Sequence, residues 1–128
     1  MSQFLDQMMN QKDLLFGGAI LFFFGWRWLR QKQVLKLVPD MIRRGAVIVD
    51  VRSVEEYKMG HVEGSLNIPL SELPNSMGKL DKTKPILICC ASGARSGVGA
   101  TMLRSKGFSE VVNAGGWVNL LDIAGKKT

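Results

Sequence analysis

The apolar residues of the chain follow two different patterns. Leu14 to Trp26 (LLFGGAILFFFGW) is thirteen residues without a charge, apolar on every side of a helix rather than along one stripe. Carried through Arg27 to Leu29, the run is sixteen residues. As a helix that is about 24 Å, against about 30 Å of bilayer hydrocarbon. The shortfall is tolerable, because Arg27 can snorkel and Trp26 and Trp28 suit a membrane interface. The pattern predicts a transmembrane or membrane-associated helix over 14–29. From about Leu35 the apolar runs shorten, and Gly, Pro and charged residues punctuate them. Leu35–Val38 reads as a short strand. Pro39 then opens a short helix that Gly45 stops. Ala46–Val51 is a continuous apolar run ending in acid and Val, as a buried parallel strand should be. Ser53 caps a helix through Lys58 that Gly60 ends. Ser65–Ile68 is a strand, and a helical stretch from Ser71 is broken at Pro74 and Gly78. Ile86–Cys89 is a second buried strand. Ala94–Lys106 is a helix, Val111–Val112 a further strand, and Gly115–Gly116 a turn before a last short helix.

These elements divide the chain into an anchor with a basic linker, residues 1–34, and a globular domain, residues 35–128. Strands alternating with helices predict an α/β fold, a parallel sheet with helices on both faces. Reactive groups in such sheets collect at the carboxyl ends of the strands, which points just beyond Cys89.

Charge refines the reading of the first segment. The net charge is +6, and residues 1–38 hold five basic and two acidic side chains. The positive charges Arg27, Arg30, Lys32 and Lys36 follow the apolar run, the reverse of a secretory signal. By the positive-inside rule they put the C-terminal domain of a single-pass protein in the cytoplasm. Gly18 and Gly25 share a helix face and would allow a homodimer through the anchor. The rest of the chain mixes both signs without a basic stripe among aromatics, so nucleic acid is not an expected partner. Apolar content of 46% excludes a disordered chain. The two cysteines, Cys89 and Cys90, are adjacent and cannot staple distant segments, and His61 is the only histidine. A disulfide framework and a zinc site are therefore not expected.

The chemistry-bearing stretch is Cys90-Ala91-Ser92-Gly93-Ala94-Arg95-Ser96. It sets a thiol after a buried strand, then a loop of small residues, then a helix. Such a loop can turn successive N–H groups inward as an anion-binding nest, and the helix N-terminus adds partial positive charge. Arg95 offers a full charge. Each effect favours thiolate over thiol and a nucleophilic Cys90. An inert cysteine before a Gly-containing turn is the other reading of the same spacing.

The residues from Val47 to about Gly116 resemble a single-domain rhodanese, a sulfurtransferase. The first group of motifs is Val49-Asp50-Val51-Arg52, Glu56-Tyr57, Gly60-His61-Val62-Glu63-Gly64-Ser65 and Asn67-Ile68-Pro69. The second is the Cys90–Ser96 loop, and Asn113-Ala114-Gly115-Gly116 is similar to the family's closing turn. The resemblance implies that Cys90 takes a sulfane sulfur from a donor such as thiosulfate or a persulfide. It would hold the sulfur as a persulfide and pass it to cyanide or a thiol, without metal or cofactor. Ala91, Ser92, Gly93, Ala94, Arg95 and Ser96 would bind the sulfur, and Asp50 and Arg52 would organise the strand ends, with Asp50–Arg95 a candidate pair. Cell-cycle phosphatases and arsenate reductases of the same fold have one more residue between Cys and Arg, which favours sulfur here over phosphate. His61 reads as a structural turn residue. Cys89 faces away from Cys90 into the core. The alternative is a catalytically idle rhodanese-like binding module at the membrane.

Overall fold

Short aliphatic runs build one parallel sheet in the computed structural model, which describes residues 2–125. Residue 1 and residues 126–128, the outer ends of the two expected segments, lie outside the described residues. The strands are β1 (Val47–Asp50), β2 (Leu66–Asn67), β3 (Ile86–Cys90) and β4 (Val111–Gly116). Their order is β2-β1-β3-β4 and every pairing is parallel. All five residues of β3 are buried, as the central strand of a sheet covered on both faces must be.

The helices are α1 (Ser2–Arg43), α2 (Val54–Lys58), α3 (Leu73–Ser76), α4 (Ala94–Ser105) and α5 (Val118–Gly125). Side chains of α3 and α4, Leu73, Ala100 and Leu103, pack with Val49, Ile86 and Ile88 on one face of the sheet. On the other face Val38 and Met41 of α1 and Leu120 of α5 pack with Leu87 and Cys89. The α/β architecture with helices on both faces is thus present.

Four local expectations are corrected. Residues 35–38 are not a strand, and no new helix begins at Pro39: both lie within α1, which holds Pro39 in its interior. Leu35, Val38, Met41 and Ile42 recur at helical spacing and share one core, which outweighs the hydrogen bond that proline cannot make. Pro74 does not break its helix either. It sits in the first turn of α3, where its missing N–H costs nothing, between single-turn 3-10 segments at Leu70–Glu72 and Met77–Lys79. Gly115 and Gly116 are the end of β4, not a turn after it. The register of β4 on β3 slips between Ile88 and Cys89, so Asn113 pairs with Ile88, Gly115 with Cys89, and Ala114 is left over as a bulge.

The chain divides into two units, residues 1–33 and 34–128. The first consists of the beginning of α1. Its apolar side chains are well exposed; Leu14, Leu15, Phe16, Leu21 and Phe22 range from 70% to 76%. No helix among the described residues is long and apolar enough to cross a membrane. The expected transmembrane span over 14–29 is therefore not supported. The helix is long, but Lys12 and Asp13 close its apolar run at one end and Arg27 and Arg30 at the other.

Candidate active site

Strand alternation sends Ile86, Ile88 and Cys90 to one face and Leu87 and Cys89 to the other. Cys90 is the last residue of β3, so its sulfur sits at the carboxyl edge of the sheet, against the start of α4. The helix can come this close because of Gly99. A Cβ there would stand 2.6 Å from Cδ1 of Ile88. The loop itself turns at Gly93, which has φ +100 as the residue before α4, and a Cβ at that point would lie 3.2 Å from Cα of Gly115. Backbone shape and proximity both require glycine there.

This turn folds the loop around the sulfur. The Gly93 N–H donates to Sγ of Cys90 at 2.9 Å, and Oγ of the fully buried Ser96 lies 3.3 Å from Sγ. Burial pushes the Cys90 thiol up. Hydrogen bonds from the Ser96 side chain and from the main-chain N–H groups of Ser96, Gly93 and Ser92 outweigh it and hold the group below its ordinary value. Cys89 has the opposite balance: burial first, then the Asp50 charge, push its thiol up to about 12.

The neighbouring charges are paired in a way the sequence did not indicate. Asp50 does not meet Arg95. It pairs with Arg52, whose Nη2 donates to Oδ2 of Asp50 at 2.8 Å and to the Gly60 carbonyl at 2.7 Å. The Arg52 guanidinium also lies 4.5 Å from the centre of the Trp117 ring, so it ties the end of β1 to the turn after α2 and to the start of α5. Arg95 forms a two-point pair with Glu56, Nη1 to Oε1 at 2.7 Å and Nη2 to Oε2 at 2.9 Å. That pair lowers the Glu56 carboxyl to about 2. The full charge expected from Arg95 at the sulfur is engaged by this carboxylate.

Two further residues belong to the site. Glu56 is fixed by a capping box at the start of α2, accepting from the Ser53 N–H while the Ser53 hydroxyl accepts from the Glu56 N–H. Asn113 bridges the loop to β4. Its Oδ1 lies 2.6 Å from Ser96 Oγ and accepts from the Gly115 N–H at 2.9 Å, and its Nδ2 donates to the Gly93 carbonyl at 3.0 Å. The pattern Ser53-x-x-Glu56 was a readable signal for the cap, but nothing local linked it to Arg95. His61 is exposed and stands apart from this chemistry. It stacks on Tyr57 with centroids 3.8 Å apart, and its Nδ1 bonds the Tyr57 carbonyl. Among the described residues no three metal-ligating side chains converge.

A buried thiol that accepts from main-chain N–H groups, at the end of a parallel strand and before a helix, is placed where the anionic form of the sulfur is favoured. The profile of the rhodanese-like domain family matches residues 34–122, and the chain belongs to that family. Its relatives include the uncharacterized protein YqhL of Bacillus subtilis, 32% identical over 113 residues, 85% of this chain and 90% of that protein. Thiosulfate sulfurtransferase PspE of Escherichia coli is 38% identical over 78 residues, 59% of this chain and 72% of that protein. A solved structure described as rhodanese with anions from E. coli superposes with a TM-score of 0.56 at 34% identity, covering 59% of this chain and 91% of that one.

Proposed function

We propose that this protein is a sulfurtransferase of the thiosulfate:cyanide type that carries sulfane sulfur on Cys90. The observation that carries the proposal is the ring of donors around Sγ, from Gly93, Ser92 and Ser96, which shifts the balance from thiol toward thiolate. The thiolate attacks the outer sulfur of thiosulfate. A Cys90–sulfur bond forms, the sulfur–sulfur bond of thiosulfate breaks, and sulfite leaves with the electron pair. The product, Cys90–S–S⁻, keeps its negative charge beside the loop, where the N–H groups of Ser92, Gly93 and Ser96 already face Sγ before the reaction begins. Cyanide or a thiolate then attacks the terminal sulfur, and Cys90 leaves as thiolate. Ala91, Ala94 and Gly93 serve through their backbone, Ser92 and Ser96 through N–H and, for Ser96, hydroxyl. Asp50 and Arg52 hold the strand end beneath them. Turnover of thiosulfate and cyanide to thiocyanate by the wild type, and its loss in a folded Cys90→Ser variant, is the expected result. No turnover by a folded wild-type protein overturns the reading in favour of a binding module.

The exposed aromatic and aliphatic side chains of residues 14–29 support a second part of the proposal, attachment of the first unit to a lipid surface. Arg27, Arg30, Lys32 and Lys36 favour anionic headgroups, hence the cytoplasmic leaflet and a cytoplasmic domain. Full-length protein is expected to float with anionic vesicles, and Phe22→Asp to weaken this severalfold. Wild-type protein that stays in the aqueous fraction overturns it.

A further inference from the structure

At the mouth of the loop, both guanidinium groups face carboxylates. Arg52 is closed against Asp50 and buried with it. Arg95 stands in the first turn of α4, feels the charge of Cys90, and yet directs both terminal nitrogens at Glu56. Glu56 cannot easily swing aside to release it. Oε1 also accepts from the Ser53 N–H at 3.2 Å and from the Ser53 hydroxyl at 3.1 Å, so the same atom is held by the cap of α2 and by Arg95. A carboxyl lowered to about 2 stays ionised throughout the ordinary working range of pH. The sulfur therefore meets its donor with neutral N–H and O–H dipoles and with a cation whose charge is already balanced.

We propose that Glu56 is a specificity-determining residue, which by holding Arg95 in this two-point pair biases the site toward sulfane-sulfur donors of single negative charge and away from dianions such as thiosulfate. The inference rests on the sulfur-transfer reading and deepens it. Its physical basis is charge crowding. Attack on thiosulfate brings a thiolate and a dianion onto one line of sulfurs, and only a free cation would relieve the repulsion. Attack on a singly charged donor of the same shape crowds one unit less.

Methanethiosulfonate supplies that comparison, because a methyl group replaces one charged oxygen of thiosulfate. The step balances in the same way: the Cys90 thiolate takes the outer sulfur, the sulfur–sulfur bond breaks, and methanesulfinate leaves with the electron pair. The readout is the ratio of kcat/KM for thiosulfate to kcat/KM for methanethiosulfonate, with cyanide as acceptor and the full chain as enzyme. Glu56→Gln keeps an oxygen to accept from Ser53 and removes only the charge. It frees Arg95 and is expected to raise the ratio about tenfold. In the double variant Glu56→Gln/Arg95→Gln the gain should vanish, since it acts through Arg95. Arg95→Gln alone approaches the pair from the other side without touching the α2 cap. It bares Glu56 and is expected to lower the ratio severalfold. Ratios within twofold of wild type in both single variants overturn the inference while leaving sulfur transfer intact. No turnover of either donor by wild-type protein overturns the sulfur-transfer reading and this inference with it.

Discussion

On one face of β3, Cys89 lies among Val38, Leu87 and Leu120, with burial pushing its thiol up to about 12. On the other, one residue along the chain, Cys90 accepts from Gly93 and lies beside Ser96 Oγ, with its thiol held below the ordinary value. Both cysteines are buried, so burial does not separate them. The difference lies in the groups packed over each sulfur. The Cys89 face is closed by apolar side chains of α1 and α5. The Cys90 face is closed by the beginning of α4, which presents N–H groups not yet engaged in the helix. A nucleophilic cysteine is made by the polar groups aimed at it, and a sheet can present one and hide the other within a single dipeptide.

The largest expected effect comes from exchanging the two roles. Cys90→Ser should reduce thiosulfate:cyanide turnover by at least about a thousandfold, because no second thiol reaches the loop. Cys89→Ala should leave turnover within about twofold and cost about 1 kcal/mol of stability for the small cavity. Chemical denaturation and steady-state kinetics on both variants check this, and the reverse ranking would place the nucleophile on the wrong face.

Next in size is Gly93→Ala. The new Cβ meets Gly115 Cα and forces an L-residue to hold φ +100. Destabilisation of about 1–3 kcal/mol is expected, with a larger proportional loss of turnover as the Gly93 N–H leaves the sulfur.

The smaller effects are on pH profiles. Iodoacetamide should alkylate Cys90 at a rate that rises through a pH below its ordinary 9.0, while Cys89 stays unreactive in the folded protein. Ser96→Ala removes one stabilising hydrogen bond and should move the Cys90 profile to higher pH, slowing alkylation severalfold at pH 6. The stability contributions have opposite signs. For Cys90 the lowered folded value means stability is present above 9.0 and is lost as pH falls through that lower value. For Cys89 the folded thiol holds its proton up to about 12, so the unfolded chain ionises first and stability falls as pH climbs above 9.0. Urea titrations of the two single variants from pH 6 to 10 separate the contributions.

The Cys90 face was the more legible one in the sequence, for a physical reason. Its loop is one contiguous stretch, Cys90 to Ser96, between a buried strand and a helix, and local order alone indicates what the backbone must do. The strand at 47–50, the strand from Ile86, though it runs one residue further than expected to include Cys90, and the helix from Ala94 were readable on the same grounds. What escaped was set by distant packing. Leu35–Val38 alternates like a strand, but Val38 and Met41 have a core to fill and stay helical. Gly115 and Gly116 look like a turn, yet they pair with Cys89 and Cys90 and let β4 pass close to the loop. Glu56 is 39 residues from Arg95, and local sequence offered Asp50 equally well as its partner. Only the capping box, which fixes the Glu56 side chain at the start of α2, brings the right carboxylate to the loop. The apolar head was legible as a helix, but its charged flanks leave it short of a span.

The most direct test is intact-mass measurement after incubation with thiosulfate, made on the wild type and on the Cys89→Ala and Cys90→Ser variants, since the two thiols would otherwise share a peptide. One added sulfur atom on the wild type and on Cys89→Ala, removed by cyanide, with none on Cys90→Ser, is the expected result. Sulfur retained by Cys90→Ser, or absent from the folded wild type, would contradict a Cys90 persulfide.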